Sequence, residues 1–487
     1  MASTIPAFAA VDLGASSGRV VVGRLDGGAV ALEEHRRFVN APIRLPDGLR
    51  WDVVHLFAEA LEGLRAAGPL DGIGVDAWGV DYGLLDEDGA LLGVPFNYRD
   101  DRIRGLRERA FERVPRDEQY AVTGIQSLPI NTAFQLLADE GTAALGAARR
   151  IALIPDLIAL WLSGTLANES TAASTTGLLD ARRGTWAVDL IARLGLPAAP
   201  WRGVVEPGAL LAPALPELGL GAVPVYAVAG HDTASAFAAA PVRAGEPAAI
   251  LSSGTWSLLG LELPEPVLSD AARDADLTNE RGVDGTTRLL KNVMGLWLEQ
   301  ECARAWGADF ATLQAAAAAV DGDVPVFDPD HDDLLAAGDM PSRIAAACVA
   351  AGQPAPRGMG ETVRAILVSL ACKYRWVLDR LISVTGREVA CIHVIGGGAQ
   401  NDLLCRLTAD LTGRDVCAGP VEATALGNVL VQARAAGAIA SADAMRAVAV
   451  ASARVVRYAP ASDRDAADVT YRRFLDATGL DAPVPTA

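Results

Sequence analysis

A polar, glycine-containing turn between two apolar strands occurs twice in this chain, and this repetition limits the folds that the chain can adopt. The first turn lies within residues 11–19 (VDLGASSGR), and the second within residues 252–257 (SSGTWS). Around the first turn, apolar runs separated by glycine turns predict three antiparallel strands over residues 8–38. A helix over residues 51–67 and a buried strand over residues 72–80 are predicted next. The first half is therefore predicted to be a mixed α/β layer.

The second half repeats this order in weaker form. Strand, turn and strand are predicted over residues 248–263, a long helix over 362–385, a strand over 389–395 and a helix from Asp402. Residues 240–247 are rich in turn formers and are typical of a hinge. We therefore predict two related α/β lobes, residues 1–243 and residues 244–487, with a cleft between them.

The charge balance excludes several classes of partner. The chain has 60 Asp and Glu against 42 Lys and Arg, a formal net charge of −18, whereas nucleic acid and anionic membranes attract cationic surfaces. The longest apolar stretch, residues 151–162, is interrupted by Pro155 and Asp156 and is too short to span a bilayer. Residues 1–10 lack the basic segment of a signal peptide. We expect a cytoplasmic protein without nucleic-acid or membrane partners.

Cysteine and histidine give no metal signature in the sequence. The six cysteines lie in the second half without C-x-x-C spacing, so most are predicted to be small buried apolar residues, and no disulfide is inferred. Residues 328–333 (DPDHDD) superficially resemble a calcium loop but lack its glycine, so no ion is expected there. The histidines outside residues 228–236, His35, His55, His331 and His393, are not expected to form a ligand cluster.

Both polar turns have the composition of a phosphate-binding hairpin. Backbone N–H groups and the hydroxyls of Ser16 and Ser17 could face an anion, Arg19 could reach phosphates, and Asp12 could hold Mg²⁺ through water. The alternative for each turn is an ordinary polar hairpin tip. No G-x-x-x-x-G-K-[ST] loop and no protein-kinase motif occurs in the chain.

Three further motifs suit substrate binding. In residues 228–236 (VAGHDTASA), Asp232 follows a strand and opens a helix, where it could accept a proton from a hydroxyl or simply cap the helix. Residues 74–82 (GVDAWGVDY) end a strand with two acids and Trp78, which could bind a sugar, or Trp78 could be a core residue. The glycine turn of residues 394–401 (VIGGGAQN) would let the backbone approach a nucleotide.

Together and in this order, these motifs resemble the FGGY carbohydrate kinases, and among them the rhamnulokinases. The resemblance extends from about residue 9 to about residue 436. Its other segments are RWDV (50–53), NYRDDR (97–102), KNVMGLWLEQE (291–301) and VEATALGN (421–428). It implies an α/β fold of the actin and hexokinase (ribonuclease H-like) type. In that fold each of two lobes is built on a mixed five-stranded sheet, with the sugar in the first lobe and adenosine in the second.

The resemblance also implies a reaction and a set of site residues. ATP, with Mg²⁺, would phosphorylate the 1-hydroxyl of L-rhamnulose, with Asp232 as the catalytic base. The residues that would contact the sugar are Gly79, His231, Asp232, Thr233 and Asn292. Those that would hold ATP are Ala15, Ser16, Ser17, Gly18, Arg19, Thr255, Gln300 and Gly398.

Alternatives remain at this stage. Ala77 stands where related sequences often carry a hydroxyl-bearing residue, which leaves another ketose, such as L-fuculose or L-xylulose, as a possible substrate. A non-catalytic actin-like ATP-binding protein would keep both hairpins, but it would not need Asp232 beside a sugar-lining strand.

Overall fold

A computed structural model describes residues 5–462 and 464–481. The chain divides into two compact units, each built from several segments. Unit 1 comprises the residues up to Ala244, Glu262–Leu289 and Ala423–Ala453. Unit 2 comprises Gly245–Leu261, Leu290–Glu422 and the residues from Arg454 onward.

The strands are β1 Ala7–Leu13, β2 Ser17–Asp26, β3 Ala29–Val39, β4 Ile43–Leu45, β5 Gly48–Arg50, β6 Gly72–Ala77, β7 Tyr82–Leu85, β8 Arg150–Leu153, β9 Asn168–Glu169, β10 Leu179–Asp180, β11 Thr185–Trp186, β12 Val204–Val205, β13 Ala209–Pro213, β14 Pro224–Ala227, β15 Ala248–Ser253, β16 Trp256–Leu263, β17 Thr278–Arg281, β18 Thr287–Met294, β19 Cys391–Ile395, β20 Asp415–Ala418 and β21 Val456–Tyr458.

The helices are α1 Val53–Ala66, α2 Leu106–Arg113, α3 Arg116–Thr123, α4 Thr132–Ala138, α5 Ala143–Ala147, α6 Ile154–Ser163, α7 Ser170–Ser174, α8 Val188–Arg193, α9 Asp232–Ala238, α10 Asp270–Asp274, α11 Trp297–Trp306, α12 Phe310–Ala318, α13 Met340–Ala350, α14 Gly358–Thr385, α15 Asp402–Thr412, α16 Ala423–Ala435, α17 Ala442–Ser452 and α18 Arg464–Thr478.

The main sheet of unit 1 has six strands in the order β13-β14-β6-β1-β2-β3. Its central strands β14, β6 and β1 are parallel, whereas β2 and β3 return antiparallel to β1. Every residue of β1 (AFAAVDL) and of β6 is buried, as expected for parallel strands covered on both faces. This arrangement brings the carboxyl ends of β14, β6 and β1 to one edge of the sheet.

The second sheet has seven strands, and in unit 2 its order includes β16-β15-β19-β20-β21. Strand β15 pairs antiparallel with β16 and parallel with β19, and β19 pairs parallel with β20. The 28-residue helix α14 buries sixteen side chains and packs against α12 and α15. Strand β15 and its turn therefore lie at the centre of this unit, as β1 and its turn do in unit 1.

A close contact between two helices stabilises unit 1. Helix α16 packs against α9 so closely that a Cβ atom on Gly427 would lie 1.7 Å from the backbone oxygen of Ser235. Only glycine permits this approach, because real Cβ atoms do not come within such distances of another heavy atom. The contact fixes α9, whose first residue is Asp232.

The predicted elements are confirmed with small shifts of their bounds. The three antiparallel strands, the following helix and strand, and the second strand–turn–strand all form. The long helix begins four residues earlier than predicted, at Gly358, and the strand after it begins two residues later, at Cys391. The sheets exceed five strands because short strands such as β13 and β21 extend their edges.

The region with the longest apolar run does not form one continuous helix. Its first residues belong to strand β8, and helix α6 begins at Ile154 with a proline in its first turn. Among the described residues, no helix is both long and apolar enough to cross a membrane.

Substituting Gly427→Ala should destabilise the protein, because the added methyl group would push α16 away from α9. We expect a loss of about 1–3 kcal/mol in the free energy of unfolding, typical of overpacking. Gly146→Ala is the matched control, since this glycine lies within helix α5 with no atom near the added Cβ; it should be neutral or stabilising by up to about 1 kcal/mol. Urea denaturation midpoints measure both variants, and equal midpoints would contradict the packing argument.

Candidate active site

Two carboxylates lie side by side where β1 and β6 end. Asp12 and Asp76 are register partners on these parallel strands. The Nη2 atom of Arg19 lies 2.6 Å from the Oδ2 atom of Asp12. Asp76 is fully buried, and its Oδ2 accepts a hydrogen bond from Asn428 Nδ2 at 2.5 Å. Its Oδ1 has no hydrogen-bond partner within the described part of the chain.

Asp232 reaches the same edge from the next parallel strand. After β14, the chain runs beside the end of β6, where the N–H of Ala77 donates to the carbonyl of Gly230 at 2.9 Å. His231 is then the N-cap of α9, and Asp232 is its first residue. The Oδ1 of Asp232 accepts hydrogen bonds from the N–H and hydroxyl groups of Thr233, at 2.5 and 3.1 Å. The alternative prediction, in which Asp232 is the N-cap of this helix, is wrong, because His231 is the N-cap. The Asp232 side chain is 29% exposed.

These three carboxylates share one site, since the charge of one raises the pKa of another. Burial raises the pKa of Asp76 well above its ordinary value, and the charges of Asp12 and Asp232 raise it further. Burial also raises the pKa of Asp232, while His231 opposes this shift and Asp12 adds to it. A cation among them would relieve the repulsion, and carboxylate oxygens are the ligands that Mg²⁺ prefers. Asp12, Asp76 and Asp232 offer oxygens of this type, but the described residues that lie close enough to hold one ion together do not include these three.

A buried ion pair orients His231. Arg288 is fully buried, and its Nη2 lies 3.1 Å from Glu280 Oε2 and 3.2 Å from His231 Nδ1. Nδ1 of His231 also lies 3.3 Å from Glu280 Oε2. Nε2 lies 3.4 Å from Asp232 Oδ1. The pair therefore holds the imidazole ring of His231 beside the predicted base.

A second buried carboxylate holds the backbone of the same turn. Glu169 accepts hydrogen bonds from the N–H groups of Gly230, Thr171 and Ala172 at 2.8, 2.7 and 3.0 Å. The hydroxyl of Thr171 in turn accepts from the N–H of His231 at 3.1 Å. Burial raises the pKa of Glu169, and its bonds to Thr171 counteract part of that shift. Sequence reasoning missed Glu169, Glu280 and Arg288, because none of them belongs to a motif.

Gly79 lies where the chain leaves β6 in a constrained turn. A Cβ atom on Gly79 would lie 2.9 Å from Thr175 Oγ1, and the next residue, Val80, has a positive φ of 68°. The hydroxyls of Thr175 and Thr132 hold Val80 by its N–H and carbonyl groups, at 3.1 and 2.6 Å. The strain of a left-handed valine is thus offset by two hydrogen bonds.

Trp78 and Asp81 have a structural role rather than the predicted sugar contact. Trp78 is buried, and its ring centroid lies 4.2 Å from that of Trp51. Asp81 Oδ2 accepts from both indole N–H groups, at 2.5 Å from Trp51 and 3.0 Å from Trp78. Burial nevertheless outweighs these bonds and raises the pKa of Asp81 to about 6. The core alternative for Trp78 is therefore the correct one.

The first polar turn is rigid and open to solvent at its tip. Gly14 N–H donates to the carbonyl of Ser17 at 2.9 Å, and Asn40 clamps the turn through the carbonyls of Gly14 and Ser16. Ser16 is exposed. A Cβ atom on Gly18 would lie 2.2 Å from the ring of Phe38, so glycine is required there. Ala15, Ser17 and Arg19 are half-buried beside the tip.

Unit 2 brings together three of the residues predicted to bind ATP. Thr255 lies in the turn after β15, and its hydroxyl donates to Gln300 Oε1 on α11 at 3.3 Å. Gly398 follows β19, and a Cβ atom there would lie 2.0 Å from Ser253 Oγ, at the end of β15. Asn292 lies half-buried on β18 of this unit. The two turns at the ends of β15 and β19 thus form one surface.

The predicted site residues consequently form two groups. Unit 1 holds Asp12, Ala15, Ser16, Ser17, Gly18, Arg19, Gly79, His231, Asp232 and Thr233. Unit 2 holds Thr255, Asn292, Gln300 and Gly398.

Family models match most of the chain. The N-terminal domain of the FGGY family of carbohydrate kinases matches residues 8–238, and the C-terminal domain of that family matches residues 249–436. A rhamnulokinase of Bacteroides thetaiotaomicron is 40% identical over 478 residues, covering 96% of this chain and 98% of the relative. A rhamnulokinase of Klebsiella pneumoniae is 41% identical over 94% of this chain and 95% of the relative.

Solved structures show the same fold at lower identity. A ligand-bound xylulose kinase from Lactobacillus acidophilus has a TM-score of 0.79 at 15% identity and covers 97% of both chains. A glycerol kinase from Plasmodium falciparum with ADP has a TM-score of 0.78 at 15% identity, over 98% of this chain and 99% of the other. The chain belongs to the FGGY family of carbohydrate kinases and has their two-domain, actin- and hexokinase-like α/β fold.

Replacing Asp76→Asn should stabilise the protein at neutral and alkaline pH. The pKa of Asp76 is raised in the folded state, so the folded protein binds the proton of this carboxyl group more tightly than the unfolded chain does. The protein therefore loses stability as pH rises above the ordinary carboxyl pKa. An amide carries no charge and keeps the bond from Asn428. We expect a gain of about 1–3 kcal/mol in the free energy of unfolding at pH 8 and a flatter pH dependence.

Chemical denaturation between pH 5 and pH 8 measures this effect, with Asp26→Asn, at an exposed strand end, as the control. A variant less stable than the wild type at pH 8, with an unchanged slope, would contradict the assignment of a raised pKa.

Proposed function

We propose that this sugar kinase transfers the γ-phosphoryl group of ATP to the 1-hydroxyl of L-rhamnulose, giving L-rhamnulose 1-phosphate and ADP. The observation that carries the proposed chemistry is the partly exposed carboxylate of Asp232, whose pKa is raised and whose position is fixed by α9. The sugar follows from the relatives named rhamnulokinase, which are about 40% identical over nearly the whole chain.

In the proposed reaction, Asp232 accepts the proton of the 1-hydroxyl group. That oxygen forms a bond to the γ-phosphorus while the bond between the γ-phosphorus and the bridging oxygen breaks, and ADP leaves with the bond's electrons. A carboxylate with a raised pKa is a stronger base than an ordinary aspartate, and general-base catalysis contributes about 10²–10⁴ in rate. Because the transferred phosphoryl group gains little covalent help from the protein, positioning supplies the remainder.

Sugar contacts are proposed for the groups around Asp232. The side chains of His231, Thr233 and Asn292 could each bond a hydroxyl of the sugar. Gly79 would let the sugar approach the backbone, since any side chain there would meet Thr175. Glu169, Glu280 and Arg288 are proposed as positioning residues, because they fix the Gly230 and His231 backbone and the imidazole ring.

Contacts to ATP are proposed for residues of each unit, taken separately. The contacts are the backbone and hydroxyls of residues 15–18, Arg19, and, from unit 2, Thr255, Gln300 and Gly398. Asp12 would hold Mg²⁺ through water. When bound, Mg²⁺ neutralises phosphate charge during phosphoryl transfer.

Another ketose is the second candidate substrate. Ala77 is fully buried, and its N–H bonds to Gly230 beside His231, so this position offers no side-chain hydroxyl next to the proposed sugar contacts. L-Fuculose and L-xylulose therefore belong in the substrate test. Family membership favours a catalytic kinase over a non-catalytic actin-like protein.

A coupled ADP-release assay with MgATP tests the proposed substrate. L-Rhamnulose, L-fuculose, L-xylulose, D-xylulose and glycerol would be compared by kcat/KM. We expect a clear preference for L-rhamnulose. Preference for another sugar would overturn the assignment of the substrate and leave the kinase chemistry in place, whereas no turnover with any sugar by folded, ATP-binding protein would overturn both.

Substituting Asp232→Asn should remove most turnover and leave the fold intact. The amide keeps the size of the side chain and its bond from Thr233 but cannot accept the substrate proton, so kcat should fall by about 10²–10⁴. Asp270→Asn is the control, because Asp270 is an exposed residue at the start of α10. Circular dichroism and the ADP-release assay check fold and rate; wild-type turnover by folded Asp232→Asn protein would rule out the role of Asp232 as base.

A further inference from the structure

Cys391, His393 and Cys417 lie together on one face of the sheet in unit 2. Cys391 and His393 are two residues apart on β19 and therefore face the same side of the strand, and His393 is the register partner of Cys417 on β20. The expectation that His393 stands outside any ligand cluster is therefore wrong. Sequence spacing concealed the group, because parallel pairing joins residues that are 24 and 26 positions apart.

The three side chains are close enough to bind one ion. Their potential ligand atoms, the two Sγ atoms and one ring nitrogen, all lie within 4.8 Å of one another. The Sγ atoms of Cys391 and Cys417 are 3.2 Å apart. Cys391 and His393 are buried, whereas Cys417 is half-buried, so an ion could enter from the side of Cys417.

A carboxylate orients the imidazole of His393. His393 Nε2 lies 3.1 Å from Glu246 Oε1, and Nδ1 is buried without a hydrogen-bond partner in the described part of the chain. Metal-bound histidines commonly bond a carboxylate through one nitrogen, which fixes the ring and leaves the other nitrogen for the metal. A buried nitrogen without a partner costs free energy unless a ligand satisfies it, and only 4% of the His393 residue is exposed.

We propose that Cys391, His393 and Cys417 form a binding site for a thiophilic divalent cation such as Zn²⁺, with Glu246 orienting the imidazole of His393. Two thiolates and an imidazole are the ligands that Zn²⁺ takes in tetrahedral sites, and water can supply the fourth ligand beside half-buried Cys417. The site joins β19, β20 and the segment before β15. It stands apart from the residues proposed for phosphoryl transfer and does not rest on the proposed function.

A redox pair is the competing interpretation, because the two sulfur atoms are also close enough to approach one another as a disulfide. A disulfide would explain neither the unpartnered Nδ1 of His393 nor the hydrogen bond between His393 and Glu246. The metal site accounts for all four side chains, and we therefore favour it.

Cobalt(II) titration of the reduced, tag-free, full-length protein tests the proposal. Co²⁺ replaces Zn²⁺ in tetrahedral sites, and thiolate ligation adds a charge-transfer band in the near ultraviolet. We expect one Co²⁺ per chain with this band, displaced by Zn²⁺. Cys391→Ser and Cys417→Ser should lose the band, and Glu246→Gln should weaken affinity by about 10–100-fold, as expected for the partner of a ligand. Affinity should rise with pH, since binding releases thiol protons.

Cys405→Ser is the matched control, because Cys405 is a buried cysteine on α15 outside the cluster and its loss should leave the band unchanged. If the cysteine variants fail to fold, alkylation of wild-type Cys417 gives a second measure, and Zn²⁺ should slow it at least tenfold. The proposal is overturned if reduced wild-type protein shows no thiolate band and no protection of Cys417. It is also overturned if folded Cys391→Ser protein keeps the band.

Discussion

The parallel pairing of β14, β6 and β1 determines the chemistry of unit 1. Parallel strands that end at the same edge bring distant parts of the chain together, and here they place Asp12, Asp76 and Asp232 at one edge of the sheet. Burial and mutual repulsion raise the pKa of two of these carboxylates. The antiparallel return from β1 to β2 adds the polar turn beside these carboxylates.

A shell of buried polar groups keeps this arrangement in one conformation. Glu169 holds the backbone of Gly230, and the Glu280–Arg288 pair fixes the ring of His231. Buried charges of this kind add little net stability when compared with apolar residues of the same shape, and removing one partner is costly. Their value here is positional, because they hold the imidazole of His231 beside the carboxylate of Asp232. The close packing of α16 against α9 stabilises the same region.

The sequence predicted elements and motifs well where local chemistry decides them. Glycine turns and apolar alternation identified β1, β2, β15 and β16, and the GHDT run predicted that His231 and Asp232 lie where a strand passes into a helix. The roles of side chains that depend on contacts between distant parts of the sequence could not be predicted. Asp81 and Trp78 looked like sugar ligands, but Asp81 is bonded to two buried indoles. Glu169, Glu280 and Arg288 carry no motif. Cys391, His393 and Cys417 meet only because β19 and β20 pair in parallel register.

The pH dependence of kcat/KM for L-rhamnulose most directly tests the claim that Asp232 is the base. Because burial raises the pKa of Asp232 above its ordinary value of 3.8, the carboxylate becomes protonated, and unable to accept the sugar proton, at a higher pH than an ordinary aspartate does. The account predicts an acidic limb of kcat/KM with an apparent pKa above 3.8 in the wild type, under conditions where the protein remains folded. A profile that stays flat to about pH 4, or folded Asp232→Asn protein with the same limb and a comparable rate, would contradict it.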